Sequence, residues 1–99
     1  MNLREYLRDR FLILDGGMGT LLQAEGLAPG ERPEEWNLTR PDAIRAIHAA
    51  YFAAGADVVY ANTFGANPLH YGEEELDALI AAALRLGREA AASVGKETA

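Results

Sequence analysis

Residues 11–20, with the sequence FLILDGGMGT, decide the fold that we predict for this chain. Residues 11–14 are all apolar and lie between Arg10 and Asp15. An unbroken apolar run of this kind is typical of a strand buried on both faces of a parallel sheet. A glycine-rich turn follows at once, at the carboxyl end of the predicted strand, and a short helix then ends at Gly26.

A second strand is predicted at residues 57–62, DVVYAN, where β-branched and aromatic residues are concentrated. Apolar residues at helical spacing predict a helix near 40–54, which stops at Gly55, and a long amphipathic helix near 73–94. Two strands about forty residues apart, with helix between them, indicate a parallel βαβ unit.

Two buried strands do not complete a parallel sheet, because such strands need neighbours at both edges and helices on both faces. We therefore predict an α/β fold, the N-terminal βαβα portion of a (β/α)₈ TIM barrel with parallel strands. A complete barrel needs roughly 250 residues. Residues 1–99 would be the N-terminal part of such a domain, ending before its third strand.

Composition excludes several classes of function. The chain has 9 basic and 15 acidic residues, a formal net charge of −6, which argues against a nucleic-acid-binding surface. The apolar runs are far shorter than the roughly 20 residues of a membrane helix, so no membrane partner is expected. Cysteine is absent, which excludes disulfides, a thiolate nucleophile and cysteine-based zinc binding within these residues. No signal peptide is visible, and a cytoplasmic location is expected.

The first candidate site is the turn that begins at Asp15. A carboxylate at the end of a buried strand lies where α/β proteins bind ligands, and it can accept hydrogen bonds from an ammonium group. The glycines after it let backbone N–H groups approach an anion. Together these groups complement a zwitterion such as an amino acid. The alternative is that Asp15 only caps the following helix.

The second candidate site is the start of residues 62–67, NTFGAN, at the end of the second predicted strand. Asn62 and Thr63 would face the same side as Asp15 and could orient a substrate; alternatively, they only stabilise the loop backbone. His48 lies on the apolar face of a helix, and we interpret it as a packing residue with its hydrogen bonds satisfied. His48 and His70 have no cysteine partners, so neither a metal site nor a catalytic residue is assigned to this chain.

In combination, these segments resemble the homocysteine S-methyltransferase family. The loop at residues 27–31 is most similar to the N-terminal homocysteine module of the cobalamin-dependent methionine synthases. The segments that carry the resemblance are ILDGGMGT at 13–20, PEEWNL at 33–38, RPD at 40–42 with Ile47, His48 and Tyr51, GADVV at 55–59, and NTFGAN at 62–67.

The resemblance implies a (β/α)₈ barrel that transfers a methyl group to the sulfur of homocysteine, giving methionine. The family holds zinc with three cysteines in later strands, and none of these is present here. The resemblance thus implies that zinc, and possibly cobalamin and methyltetrahydrofolate, belong to other parts of a longer protein, and that this chain is inactive alone. The resemblance implies that Asp15 binds the ammonium group and that the backbone N–H groups of Gly17 and Met18 bind the carboxylate. The other substrate-binding residues that it implies are Gly16 in the same turn and Asn62 and Thr63 in the neighbouring loop.

The implied partners are homocysteine, a methyl donor (methylcobalamin or a methylated small molecule), and the remainder of the barrel. Open sheet edges would otherwise favour self-association of the chain. Two alternatives to an enzyme remain at this point. One is a stand-alone module that binds an amino acid or an anion, and the other is a helical interaction module without catalysis.

Overall fold

The computed structural model describes residues 3–8 and 11–96, and helices dominate this part of the chain. The elements are α1 (Leu3–Leu7), α2 (Gly19–Ala24), a 3₁₀ turn (Pro33–Glu35), α3 (Trp36–Thr39), α4 (Pro41–Ala53) and α5 (Glu73–Ser93).

The predicted pair of strands is where the structure departs from the sequence-based prediction. Between residues 11 and 96 the β-pairing of the two segments is limited to an isolated parallel bridge that joins Leu14 to Val58. The Asp57 N–H donates to the Ile13 carbonyl at 2.7 Å, and the Asp15 N–H donates to the Val58 carbonyl at 3.0 Å. No sheet forms among the described residues, so the prediction of an α/β fold with a βαβα order and parallel strands is wrong for this chain.

The physical reason lies in the surroundings of these segments. A parallel strand is stable when it is hydrogen-bonded along both edges and covered on both faces. Here Ile13 is 58% exposed and Leu14 is 49% exposed, so neither face of the first segment is fully covered. The two segments are therefore extended neighbours that run in the same direction, without a continuous ladder.

The two long helices confirm the helical periodicity of the sequence. α4 begins at Pro41, whose fixed φ suits the first turn of a helix, and Asp42 adds a favourable negative charge there. Gly55 follows its end with a φ of +115°, a conformation that glycine adopts without strain. No side chain of the described residues caps the first turn of α4, and the Thr39 hydroxyl donates to the Glu35 carbonyl at 3.2 Å. α5 begins with three glutamates in its first turn.

Packing between α3, α4 and α5 forms the core, which positions the turn after Asp15. The main cluster consists of Leu22, Trp36, Ile44, Ile47 and Leu86, and a smaller one consists of Phe52, Ala90 and Ala91. The short helix α3 thus contributes the buried Trp36 to the core. Within the described ranges, no helix is both long and apolar enough to cross a membrane.

Candidate functional site

Asp15 is held by one hydrogen bond from its backbone N–H and one to its carboxylate. Its own N–H donates to the Val58 carbonyl, and the Tyr60 N–H donates to Asp15 Oδ2 at 3.2 Å. Asp15 Oδ1 is buried and has no hydrogen-bond partner within the described part of the protein. Because a carboxylate can accept about four hydrogen bonds, most of the accepting capacity of Asp15 is unused.

The alternative role for Asp15, capping the next helix, is not what the structure shows. α2 begins at Gly19, the residue before it is Met18, and no side chain caps its first turn. The Asp15 carboxylate instead accepts from the chain segment around Tyr60. Asp15 therefore joins two segments that lie 45 residues apart in the sequence.

The backbone of Gly16, Gly17 and Met18 forms the turn beside this carboxylate. The Tyr51 hydroxyl, from α4, donates to the Gly17 carbonyl at 2.6 Å. The Met18 side chain packs against the main core cluster. Among the backbone hydrogen bonds of residues 11–96, none uses the N–H groups of these three residues as donors. The turn therefore combines a carboxylate with spare acceptors and N–H groups that have no acceptor among the described residues.

His48 lies on α4 and is fully buried. Neither of its ring nitrogens has a hydrogen-bond partner in the described structure, so the expectation of a satisfied histidine is wrong, although its burial is as expected. Burial lowers the pKa of His48 below its usual range, and the negative charge of Asp15 partly opposes that shift. The two residues are thus electrostatically coupled, and both carry buried polar atoms without partners.

Asn62 is buried, and its side chain is engaged with the loop that contains α3. Its Nδ2 donates to the Pro33 carbonyl at 2.8 Å and to Asn37 Oδ1 at 3.2 Å, while Asn37 Nδ2 donates to the Asn62 carbonyl at 2.9 Å. Thr63 follows half-buried, with its N–H donated to the Ala61 carbonyl. No hydrogen bond between described residues joins either side chain to Asp15, and a role for Asn62 and Thr63 toward a substrate stays a prediction.

A buried acidic contact beside Asn62 is a feature that the sequence did not reveal. The Tyr71 hydroxyl donates to Oε1 of buried Glu34 at 2.7 Å, and burial together with this bond raises the pKa of Tyr71 to about 12. Gly65 packs so closely that an added Cβ would lie 2.6 Å from the same oxygen. Glu34 belongs to a segment singled out earlier, but nothing in the sequence pairs it with a tyrosine 37 residues away.

The described residues contain no cluster of side chains that could bind a metal ion. Across the described ranges, no group of three or more His, Asp or Glu side chains is placed to hold a metal ion. Cysteine is absent from the whole sequence. The residues present therefore do not fit the zinc site that the resemblance implies.

Comparison with known proteins agrees with the motifs around this turn. A family model described as homocysteine S-methyltransferase matches residues 12–99. The chain belongs to the homocysteine S-methyltransferase family. The match includes both candidate segments, the turn at 15–18 and the loop that begins at Asn62.

Relatives within this family are much longer than this chain. The chain is similar to the methionine synthases of Mycobacterium tuberculosis and Mycobacterium leprae, with 41% identity over 81 residues in each case. Each alignment covers 76% of this chain and 7% of the relative. The fold is similar to a crystal structure of the homocysteine methyltransferase MmuM from Escherichia coli in its oxidized form. That comparison has a TM-score of 0.83 and 29% identity, and it covers 93% of this chain and 34% of the other.

Proposed function

We propose that this chain binds homocysteine and forms part of an enzyme that transfers a methyl group to its sulfur, giving methionine. Family membership supports this reaction class, since the methionine synthases are among the relatives. The observation that carries the proposal is the unused accepting capacity of Asp15 beside N–H groups for which residues 11–96 provide no acceptor. Such a pair complements an amino acid, whose ammonium group donates and whose carboxylate accepts.

In this proposal each part of the turn has one task. The Asp15 carboxylate accepts hydrogen bonds from the homocysteine ammonium group, a charge-assisted contact in a partly buried place. The N–H groups of Gly17 and Met18 donate to the homocysteine carboxylate, and Gly16 lets the backbone pass close to Tyr51. Asn62 and Thr63 line the neighbouring loop.

We further propose that residues 1–99 are the N-terminal part of a larger homocysteine-binding domain, which we call the complete domain. The chain spans 7% of the length of the methionine synthases and 34% of the solved methyltransferase. Apolar side chains next to the isolated bridge, such as Ile13 and Leu14, are exposed and could contact the remainder of the domain. In its absence, they favour self-association of the chain.

Zinc has no ligands among these residues, so we place it elsewhere in the complete domain. There it would supply a Lewis acid that lowers the pKa of the homocysteine thiol. Cobalamin and methyltetrahydrofolate, or a methylated small molecule as donor, would likewise be held by other parts of the protein. We expect the isolated chain to be inactive for this reason. A cytoplasmic location stays a prediction.

Asp15→Asn in the complete domain tests the proposal, because it keeps the side-chain shape and removes the charge. A hydrogen bond to a charged group contributes roughly 1.5–3 kcal/mol, so the Kd for homocysteine should rise about ten- to a hundredfold. Isothermal titration calorimetry measures that Kd, and zinc content should not change. The matched control is Asp42→Asn, at a carboxylate that is 96% exposed on α4, and it should leave the affinity unchanged.

Two outcomes would count against the proposal. Equal homocysteine affinity of Asp15→Asn and the unmodified domain, with only the thermal midpoint lowered, would assign Asp15 a structural role. No homocysteine binding by the unmodified domain would reject the function itself and favour a different ligand for this turn.

A further inference from the structure

Tyr51 connects the core helix α4 to the candidate substrate-binding turn. Its hydroxyl donates to the Gly17 carbonyl across 34 residues of sequence, at a distance of 2.6 Å. Its ring packs against the main core cluster, and this packing fixes the position of the hydroxyl. The hydrogen bond is therefore a tertiary contact that acts on the turn.

The planarity of the peptide bond converts this contact into a directional constraint. In a trans peptide the carbonyl and the following N–H point in opposite directions, and the described residues contain no cis peptide bond. Because the Gly17 carbonyl points toward Tyr51, the Met18 N–H points away from Tyr51. Within residues 11–96 this N–H donates to no protein acceptor.

Gly16 shows how closely the turn approaches Tyr51. A Cβ added at Gly16 would lie 3.0 Å from the Tyr51 hydroxyl oxygen and 3.4 Å from Cε1 of its ring. A side chain at this position would press on the hydroxyl and disturb its bond to Gly17. Space, and not backbone conformation, thus explains the glycine at position 16.

From these contacts we propose that Tyr51 is a positioning residue for homocysteine. Its hydroxyl fixes the peptide between Gly17 and Met18 so that the Met18 N–H faces the substrate carboxylate. This inference rests on the proposed function. Without the hydroxyl, the peptide is free to rotate, and the donor loses its fixed direction before the substrate arrives.

Tyr51→Phe in the complete domain tests this, because it removes only the oxygen and keeps the packed ring. Because the Met18 N–H is then no longer held toward the substrate carboxylate, the Kd for homocysteine should rise about two- to tenfold. This is the change that the free energy of one neutral hydrogen bond corresponds to. KM for homocysteine should rise with it, while kcat stays the same. Gly16→Ala should reproduce the effect by displacing the hydroxyl. Thr39→Val, which removes a hydroxyl that donates to the Glu35 carbonyl outside the turn, is the matched control and should leave the Kd unchanged.

A second ligand separates positioning from general structural damage. The probe is 3-aminopropanethiol, which is homocysteine without its carboxylate. Tyr51→Phe should leave the Kd of this probe unchanged, since the Met18 N–H has no carboxylate to meet. Asp15→Asn should weaken the binding of both ligands, because both carry the ammonium group.

The outcomes distinguish this inference from the proposed function. Homocysteine binding that is weakened by Asp15→Asn but not by Tyr51→Phe overturns the role of Tyr51 and leaves the function intact. Equal weakening of both ligands by Tyr51→Phe shows that the hydroxyl only supports the fold, and it also overturns the inference. No homocysteine binding by the unmodified domain rejects both.

Discussion

Replacement of Gly65 by alanine should destabilise the chain through one buried contact. The added Cβ would lie 2.6 Å from Glu34 Oε1 and 2.9 Å from Oε2, whereas ordinary contact begins near 3.4 Å. Oε1 must therefore retreat by about 0.8 Å. Glu34 is buried and its Oε1 accepts from the Tyr71 hydroxyl at 2.7 Å, so the retreat stretches or breaks that bond.

The expected cost follows from these two effects. Overpacking of a buried site costs about 1–3 kcal/mol of stability. Loss of the hydrogen bond between Tyr71 and Glu34 costs about 1 kcal/mol. Since the same displacement causes both, we expect a total of about 2 kcal/mol. For a domain of about 100 residues, that lowers the thermal midpoint by roughly 10 °C.

Thermal and urea unfolding followed by far-ultraviolet circular dichroism measures this cost. The control is Gly87→Ala in α5, where nothing lies within 4 Å of an added Cβ. It should stabilise the chain by about 0.5–1 kcal/mol, as alanine does in a helix interior. The two substitutions therefore change stability in opposite directions.

A double-mutant cycle identifies the contact responsible. Glu34→Ala removes the side chain that the added Cβ of Gly65→Ala would overlap. In the Glu34→Ala background, Gly65→Ala should therefore cost almost no further stability. Spectrophotometric titration adds a local measurement, since the pKa of Tyr71 should fall from about 12 toward its ordinary value in Gly65→Ala. An unchanged midpoint and an unchanged Tyr71 pKa in Gly65→Ala would refute the reasoning.

Two further predictions concern buried polar groups. Because burial lowers the pKa of His48, the unfolded chain takes up a proton before the folded one; stability should be full above about pH 6.5 and fall as the pH drops toward the folded pKa. His48→Gln should reduce this dependence of stability on pH, which urea titrations at several pH values measure. An identical change of the unfolding free energy with pH in both proteins would contradict this prediction. Asn37→Ala should cost about 1–3 kcal/mol, because the Asn62 carbonyl loses its donor. Thr39→Ala, at an exposed position, should cost less than about 0.5 kcal/mol in the same melts, and equal losses would rule out a special role for Asn37.

The helices could be predicted from sequence because their signals are local. In α4, Pro41 marks the start, Gly55 marks the stop, and the residues between repeat at helical spacing, so the observed bounds lie within one residue of the prediction. The turn at Asp15 was also recognisable, since a carboxylate followed by glycines stands out in any sequence. These features depend on neighbours only a few residues away.

The strands and the tertiary contacts could not be predicted in the same way. Apolar runs at 11–14 and 58–61 show that these segments favour burial, but a ladder also needs neighbouring strands, and the described residues provide only one bridge. His48 was correctly placed on a buried face, but the partners of its nitrogens depend on the fold around it. The bond from Tyr71 to Glu34 joins positions whose contact no periodicity encodes.

Trp36 has a spectroscopic consequence, because it is the only tryptophan in the sequence and it lies in the main core cluster. Its indole N–H donates to Glu31 Oε2 at 3.2 Å, and the Arg40 guanidinium lies 4.2 Å from the ring centroid. The backbone N–H of Ala28, and then this indole, lower the pKa of Glu31. Protonating Glu31 in acid removes the charge of this acceptor and therefore weakens its bond to the indole. The chain carries a single tryptophan, and its emission, excited apart from that of the four tyrosines, records the weakening of this bond in acid and, separately, the exposure of the core in denaturant.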